Sequence, residues 1–279
     1  MNEYEEVINA HYDRKDLGAN ILEALEKAGK DVRALAVEDL APIEEFHIGG
    51  RKPTMELARL AELSEGMRVV DVGCGIGGPA RALAHYFGCE VVGVDLTESF
   101  CVAASLLTER TGLGHKVTIR QGNALDLPLE DRSVDVVWMQ HVGMNVHDKA
   151  ALFHELRRVL RPEGRLALYE VFAGIKPAEY FPVPWASGPE LSHLFSPEEI
   201  QKSLHNVGFR IEVWNDVTRA SADWFRAAME KTMKEGPPPL SRGILMGPEF
   251  PIKASNVLRN LEEDRLTVVQ AILTLAPSR

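Results

Sequence analysis

The richest chemistry in the chain sits in one string, Val69-Val70-Asp71-Val72-Gly73-Cys74-Gly75-Ile76-Gly77-Gly78. Glycines straight after an apolar run allow a tight turn and let a ligand approach the backbone closely, beside the start of a helix. The string fits two patterns at once. Gly73, Gly75 and Gly78 make the G-x-G-x-x-G of a nicotinamide- or flavin-binding turn. Asp71, Gly73, Gly75 and Gly77 make D-x-G-x-G-x-G. A carboxylate at Asp71 repels a pyrophosphate and suits a cationic ligand. Downstream, Val91-Val92-Gly93-Val94-Asp95-Leu96 ends in an acid placed to take ribose hydroxyls, with Leu96 available against a flat base. Both kinds of cofactor use such an acid, so Asp95 does not choose between them.

Ligands of open α/β sheets bind beyond the carboxyl ends of the strands, which directs attention to the ends of later apolar runs. After Val134–Gln140 the chain reads Gln140-His141-Val142-Gly143-Met144-Asn145-Val146-His147. His141 is the first candidate for a general base or a substrate hydrogen bond, with a hydrogen-bonded structural histidine as the competing assignment. His147 is expected in solvent at the next helix start. Tyr169 and Glu170 end another run, and Phe181-Pro182-Val183-Pro184-Trp185 is stiff enough to form a shaped wall. Trp224 and Phe225 either line an acceptor pocket or pack their helix. Cys74 is expected to face the core.

The elements that must position these groups are legible as alternation. Apolar runs at Met67–Val72, Glu90–Leu96, Val117–Arg120, Val134–Gln140, Arg165–Val171, Phe209–Val217 and Leu266–Leu275 read as strands. Helical segments are predicted over Pro79–Phe87, Glu98–Thr111, Ala150–Leu160, Ala220–Lys234 and Ala254–Glu263, with Arg161–Gly164 as a turn. Ser196-Pro197-Glu198-Glu199 is a helix start with Ser as N-cap and Glu at N3, closing at Gly208. Gly236-Pro237-Pro238-Pro239 reads as a breaker. The first sixty residues look helical: Ile21, Leu22, Leu25 and Ala28 form one apolar stripe, and Met55, Leu57, Leu60 and Ala61 another. Alternating strands and helices predict an α/β fold, a doubly wound, mostly parallel sheet.

Composition narrows the partners. The chain has 31 Lys+Arg against 41 Asp+Glu, a formal charge of −10, and no basic cluster that would neutralise a nucleic-acid backbone. Cys74, Cys89 and Cys101 make neither a disulfide framework nor a metal-ligand spacing. The acidic N-terminus lacks the features of a signal peptide, and no apolar run approaches the ~18 residues of a membrane span. A cytoplasmic protein with a small-molecule partner is the expectation, with no nucleic acid, membrane or metal involved.

The Asp71 loop, Asp95, the segment Gly122–Pro128 and Arg158-Val159-Leu160-Arg161-Pro162-Glu163-Gly164 occur in that order. With these motifs the chain resembles the class I S-adenosylmethionine-dependent methyltransferases. The likeness is to the small-molecule branch containing quinone, tocopherol, sugar and sarcosine/dimethylglycine methyltransferases. The resemblance runs from about Gly66 to Gly164. It implies a seven-stranded sheet with a helical cap, S-adenosylmethionine as cofactor and S-adenosylhomocysteine as product. It further implies that Gly73 and Gly75 lie against the methionine part with Asp71 nearby, and that Asp95 binds ribose. By the same resemblance, Asn123 meets the adenine amino group, the Ala124 N–H a ring nitrogen, and Gln140 the methionine moiety. Tyr12, Phe46 and His47 would belong to a lid over the cofactor; Met144, Asn145, Tyr169, Trp185 and Trp224 are acceptor-pocket candidates. Such enzymes usually have Asp at Asn123 and commonly His at Asn145. Residues 1–65 are expected as a cap and 66–279 as the core, with 172–195 and 219–264 as acceptor-pocket insertions. The acceptor is expected to be an amine, alternatively a phenolic or quinone-like ring. A nicotinamide-dependent oxidoreductase and a non-catalytic S-adenosylmethionine-binding module are the competing readings.

Overall fold

The computed structural model describes residues 3–236, 240 and 242–276; the prolines at 237–239 of the predicted breaker lie outside them. Strands β1 (Arg68–Val72), β2 (Glu90–Asp95), β3 (Val117–Gln121), β4 (Val134–Gln140), β5 (Leu160–Ala173), β6 (Phe209–Asp216) and β7 (Leu266–Leu275) form one seven-stranded sheet, ordered β3-β2-β1-β4-β5-β7-β6. β7 runs antiparallel to β5 and β6, and the other pairings are parallel. The order reverses between β1 and β4, so the crevice beyond their carboxyl ends is where a ligand is expected.

The pleat divides the apolar residues between two cores. Val69, Val136 and Trp138 face one side, whereas Val70, Val137 and Met139 face the other. The first side is covered by α4 (Arg51–Leu60) and α5 (Gly78–Phe87), joined by α6 (Glu98–Arg110) against β2 and β3. α7 (Lys149–Val159) and α8 (Pro197–Val207) cover the other. α8 carries the predicted cap: Glu199 N donates to Ser196 Oγ, Ser196 N donates to Glu199 Oε2, and Gly208 closes the helix at φ 93°.

The helical N-terminus resolves into α1 (Glu3–Tyr12), α2 (Leu17–Lys27), α3 (Val37–Glu44) and α4. Leu17, Ile21, Leu25, Leu40 and Ile43 form a third core with Phe100, Ala103 and Leu107 of α6, which seats these helices above the β1–β2 end of the sheet. Beyond β6 lie α9 (Thr218–Glu235), α10 (Gly243–Met246) and α11 (Phe250–Glu262), with α11 packed on α9 and β7.

One expectation needs correction. Arg161–Gly164 is not a separate turn but part of β5, bulged so that Leu160 pairs with Val134 and Arg165 with Val136. A Cβ on Gly164 would meet Leu160 Cδ1 at 2.5 Å and the Asp135 carbonyl at 2.9 Å, so the bulge folds back onto its own strand.

Candidate active site

The loop between β1 and α5 passes through positive φ at Gly73 (70°), Gly75 (54°) and Gly77 (79°), a path L-residues rarely take. Crowding adds a second requirement: a Cβ on Gly73 would meet Val142 at 2.3 Å, and one on Gly75 would meet Phe46 at 2.5 Å. The loop also spends its own donors. Gly73 N and Cys74 N both donate to the Val94 carbonyl, at 2.8 and 3.1 Å, and Gly77 N donates to Cys74 O at 2.8 Å. Gly75 N donates to Asp95 Oδ2 at 2.8 Å. A pyrophosphate needs free backbone N–H groups at this turn. Those of Gly73, Cys74, Gly75 and Gly77 are committed elsewhere, which counts against the dinucleotide reading.

The loop opens onto a cavity of about 580 Å³ at the β1–β4 switch point. Gly73, Gly75, Asp95, Leu96, Asn123, Ala124 and Gln140 line one part of it. Asp95 Oδ1 accepts from Thr97 N at 2.9 Å, so each carboxylate oxygen takes one backbone N–H and keeps lone pairs for a ligand. Burial raises its carboxyl above the usual range. Asn123 Oδ1 accepts from Leu125 N at 2.9 Å, and Nδ2 donates to Glu5 Oε1 on α1 at 2.8 Å. A carboxylate of α1 thus stands beside Asn123 at the cavity wall. Gln140 Oε1 accepts from Trp138 Nε1 at 2.8 Å and Thr54 Oγ1 at 3.4 Å, while its Nε2 is buried without a partner. An orphaned buried donor in this lobe fits a ligand acceptor such as a carboxylate.

Asp71, Gly77 and Tyr169 are not among the cavity-lining residues. Asp71 is buried behind the loop with Oδ2 unpartnered. Burial, with Glu45 and Asp95 nearby, holds its carboxyl well above the usual range. Gly77 is the residue before α5 and packs against Arg81, and Tyr169 OH donates to the Ile48 carbonyl at 3.2 Å. These three support the wall from behind.

His141 lines the cavity but has both ring nitrogens engaged. Its Nδ1 lies 2.9 Å from the Tyr169 carbonyl, a contact that requires Nδ1–H, and Nε2 then accepts from Ile48 N at 3.4 Å. Burial, with His47 close by, pulls its pKa down to about 3. The residue sits at φ 56°, turning the chain out of β4. The imidazole is therefore neutral, with the sheet end supplying partners for both nitrogens.

The loop after His141 is clamped from below. Glu170 accepts from Val142 N and Gly143 N, both at 3.0 Å, and the Lys149 ammonium donates to the carbonyls of Gly143 at 2.9 Å and His193 at 2.8 Å. Burial pushes the Glu170 carboxyl up to about 7, with the two N–H donors and Lys149 opposing. A carboxyl raised in the fold holds its proton more tightly there than in the unfolded chain. Its contribution to stability is full below the ordinary value of 4.5 and is lost as pH rises through about 7. Between pH 5 and 8, urea melts should thus show wild type losing roughly 2–3 kcal/mol relative to Glu170→Gln, the opposing rise from the depressed His141 being common to both. A parallel decline in the variant would contradict this assignment.

Tyr12, Phe46, His47, Met144, Asn145, Trp185 and Trp224 all line the cavity. Tyr12 OH donates to Asn145 Oδ1 at 2.8 Å, and Asn145 Nδ2 donates to the Trp185 carbonyl at 2.8 Å, tying α1, the loop after β4 and the proline-rich wall together. His47 belongs to a buried network in which its Nε2 lies 2.7 Å from Glu45 Oε2. His147 is exposed, its ring 5.0 Å from that of His193. Lys253, Arg14 and His11 also line the cavity, as do Leu245, Met246 and Phe250. The helix start predicted at Ala254 left Lys253 outside α11, although Phe250, Lys253 and Val257 share one helical face. No group of three or more His, Cys, Asp or Glu among the described residues is placed to hold a metal ion, and no helix is long and apolar enough to cross a membrane.

A mostly parallel sheet with this glycine loop and switch-point cavity agrees with what the chain is similar to. Residues 70–168 match the family model of a methyltransferase domain. The glycine/sarcosine/dimethylglycine N-methyltransferase of Actinopolyspora halophila is 28% identical over 177 residues, covering 63% of this chain and 31% of that protein. The chloroplastic tocopherol O-methyltransferase of Arabidopsis thaliana is 43% identical over 101 residues, covering 36% and 29%. The chain thus spans about a third of the length of these curated relatives. The geranyl diphosphate C-methyltransferase of Streptomyces coelicolor A3(2) was solved with Mg2+, geranyl diphosphate and S-adenosyl-L-homocysteine. It superposes with a TM-score of 0.72 at 17% identity, over 99% of this chain and 98% of that one, a likeness of fold.

Proposed function

We propose that the protein transfers a methyl group from S-adenosylmethionine to a small, mostly apolar acceptor. The observation that carries this reading is a single cavity joining the Gly73–Gly75 loop, Asp95 and Gln140 to a wall built from Tyr12, Trp185 and Trp224. The residues fit the cofactor. Asp95 offers lone pairs to the ribose diol, Asn123 and Glu5 border the adenine edge with the Ala124 N–H, and Leu96 lies against the base. The bare backbone at Gly73 and Gly75 admits the methionine part, and the orphaned Gln140 Nε2 suits its carboxylate. Bound there, S-adenosylmethionine supplies an electrophilic methyl group on a sulfonium, transferred by in-line displacement.

The chain's own contribution is to hold the acceptor in line and exclude water, a proximity effect worth up to ~7–11 kcal/mol in favourable cases. Aromatic and aliphatic side chains, with the cations Arg14, Arg242 and Lys253, line the acceptor side. This composition favours an apolar or ring-bearing acceptor over the small amine expected from sequence. Methyl label from S-adenosylmethionine should appear in phenolic or isoprenoid acceptors and not in sarcosine or dimethylglycine. Cofactor binding without label transfer to any acceptor would favour a non-catalytic module.

His141 takes no proton in this account. Losing a general base lowers the rate by ~10²–10⁴-fold. His141→Gln should instead keep turnover within about tenfold and leave the pH–rate profile unmoved. An inflection removed by the substitution would restore the base assignment.

A further inference from the structure

The acceptor side of the cavity holds an uncompensated cation. Lys253 lies on the face of α11 shared by Phe250 and Val257, lines the cavity and is 5% exposed. Its ammonium makes no hydrogen bond or ion pair among the described residues. Arg14 and His11 line the same cavity. Arg14 Nη1 donates to the carbonyls of His11 at 3.1 Å and Asp13 at 2.8 Å, bonds that do not involve its Nη2 and Nε. Although Glu5, Asp148 and Glu190 also line the cavity, none of them is among the charges that act on Lys253. Burial and Arg14 both pull Lys253 down, and the acid opposing them, Glu249, stands in solvent. Burial, Lys253 and Arg14 likewise pull His11 down. A fold that merely needed an apolar wall at position 253 would be served by Leu or Met, because an unpaired ammonium on the wall of a largely apolar cavity is costly. Lys149, the other buried lysine near this cavity, has its ammonium bonded to backbone carbonyls.

We propose that Lys253, with Arg14 beside it, binds an anionic group, a carboxylate or a phosphate, carried at one end of the otherwise apolar acceptor. This rests on the reading of the cavity as an acceptor site. An anion there completes the ion pair that the apo fold lacks, and its charge-assisted bonds form out of water, where they are strongest. The apolar walls take the remainder of the molecule, so the subsite fixes which end of the acceptor faces away from the cofactor lobe.

The test is calorimetry on the full chain with octanoate, octyl phosphate, 1-octanol and octylammonium, each with and without S-adenosylhomocysteine. One charge-assisted pair predicts that octanoate or octyl phosphate binds at least about tenfold more tightly than octanol, with octylammonium weakest. Lys253→Met should erase that preference while leaving octanol within about twofold, Lys253→Arg should retain it, and Arg14→Gln should reduce it by about threefold. Equal binding of octanoate and octanol, an equal loss of both in Lys253→Met, or binding of neither overturns the proposal. Thermal melts of each variant establish that it is folded. S-adenosylhomocysteine titrated alone separates the two ideas. If it binds while the anion preference is missing, the subsite fails and the cofactor reading stands; a Lys253-dependent preference without it has the opposite meaning.

Discussion

Replacing Glu44 with Ala is expected to lower Tm by roughly 6–20 °C, the equivalent of ~3–5 kcal/mol for breaking a buried ion pair. Glu44 ends α3 and is 1% exposed, and its two carboxylate oxygens meet different cations. Oε2 accepts from Arg81 Nη2 at 2.7 Å, and Oε1 accepts from Arg51 Nη2. Arg81 is fully buried in α5, and burial pulls it down to about 10, so it remains charged at neutral pH. Its Nη1 reaches the Ala104 carbonyl and Thr108 Oγ1, both at 3.3 Å, while Nε has no partner. Removing Glu44 therefore strands a guanidinium that water does not reach. The same residue sets the glycine loop, because a Cβ on Gly78 would meet the Glu44 carbonyl at 2.6 Å. Pairing Glu44→Ala with Arg81→Met should recover most of the loss, since the stranded guanidinium goes with its partner while Arg51 keeps Glu45. Thermal melts of the single and double variants check this; additive losses would show that the pair is not the cause.

The largest expected effect on binding comes from Asp95→Ala, which should weaken S-adenosylhomocysteine by about 100-fold or more. Charge-assisted bonds to the ribose are worth ~1.5–3 kcal/mol each. The carboxylate does two jobs: it faces the cavity and accepts from Gly75 N and Thr97 N. Asp95→Asn separates them, because one amide oxygen can still accept a backbone N–H while the charge is gone. Its affinity should fall between those of wild type and Asp95→Ala. Equal affinity in all three would place the ribose elsewhere.

The strand ends of this chain were legible because apolar runs of five to seven residues stop where polar or glycine residues begin, as at Val72 and Gln140. The positions of Asp95 and Asn123 on the cavity were legible for the same reason, the first ending β2 and the second following β3 closely. Other features depended on partners distant in sequence. The two nitrogens of His141 are engaged by the Tyr169 carbonyl and the Ile48 N–H, and neither interaction leaves a trace in local pattern. Asp71 stands in the motif yet is buried and does not line the cavity, and the charges that act on it, Glu45, Asp95 and Arg81, come from three different parts of the chain. Glu5 and Asn123 meet across the fold, a pairing 118 residues apart that no local pattern announces. Lys253 was hidden by a helix start placed too late.

The central claim, that this cavity is built for S-adenosylmethionine and not for a dinucleotide, is tested most directly by titrating S-adenosylhomocysteine and NADH separately into the wild-type protein. With the N–H groups of Gly73, Cys74, Gly75 and Gly77 already committed, S-adenosylhomocysteine should bind at one site per chain and NADH should give no heat. Binding of NADH without binding of S-adenosylhomocysteine would contradict it.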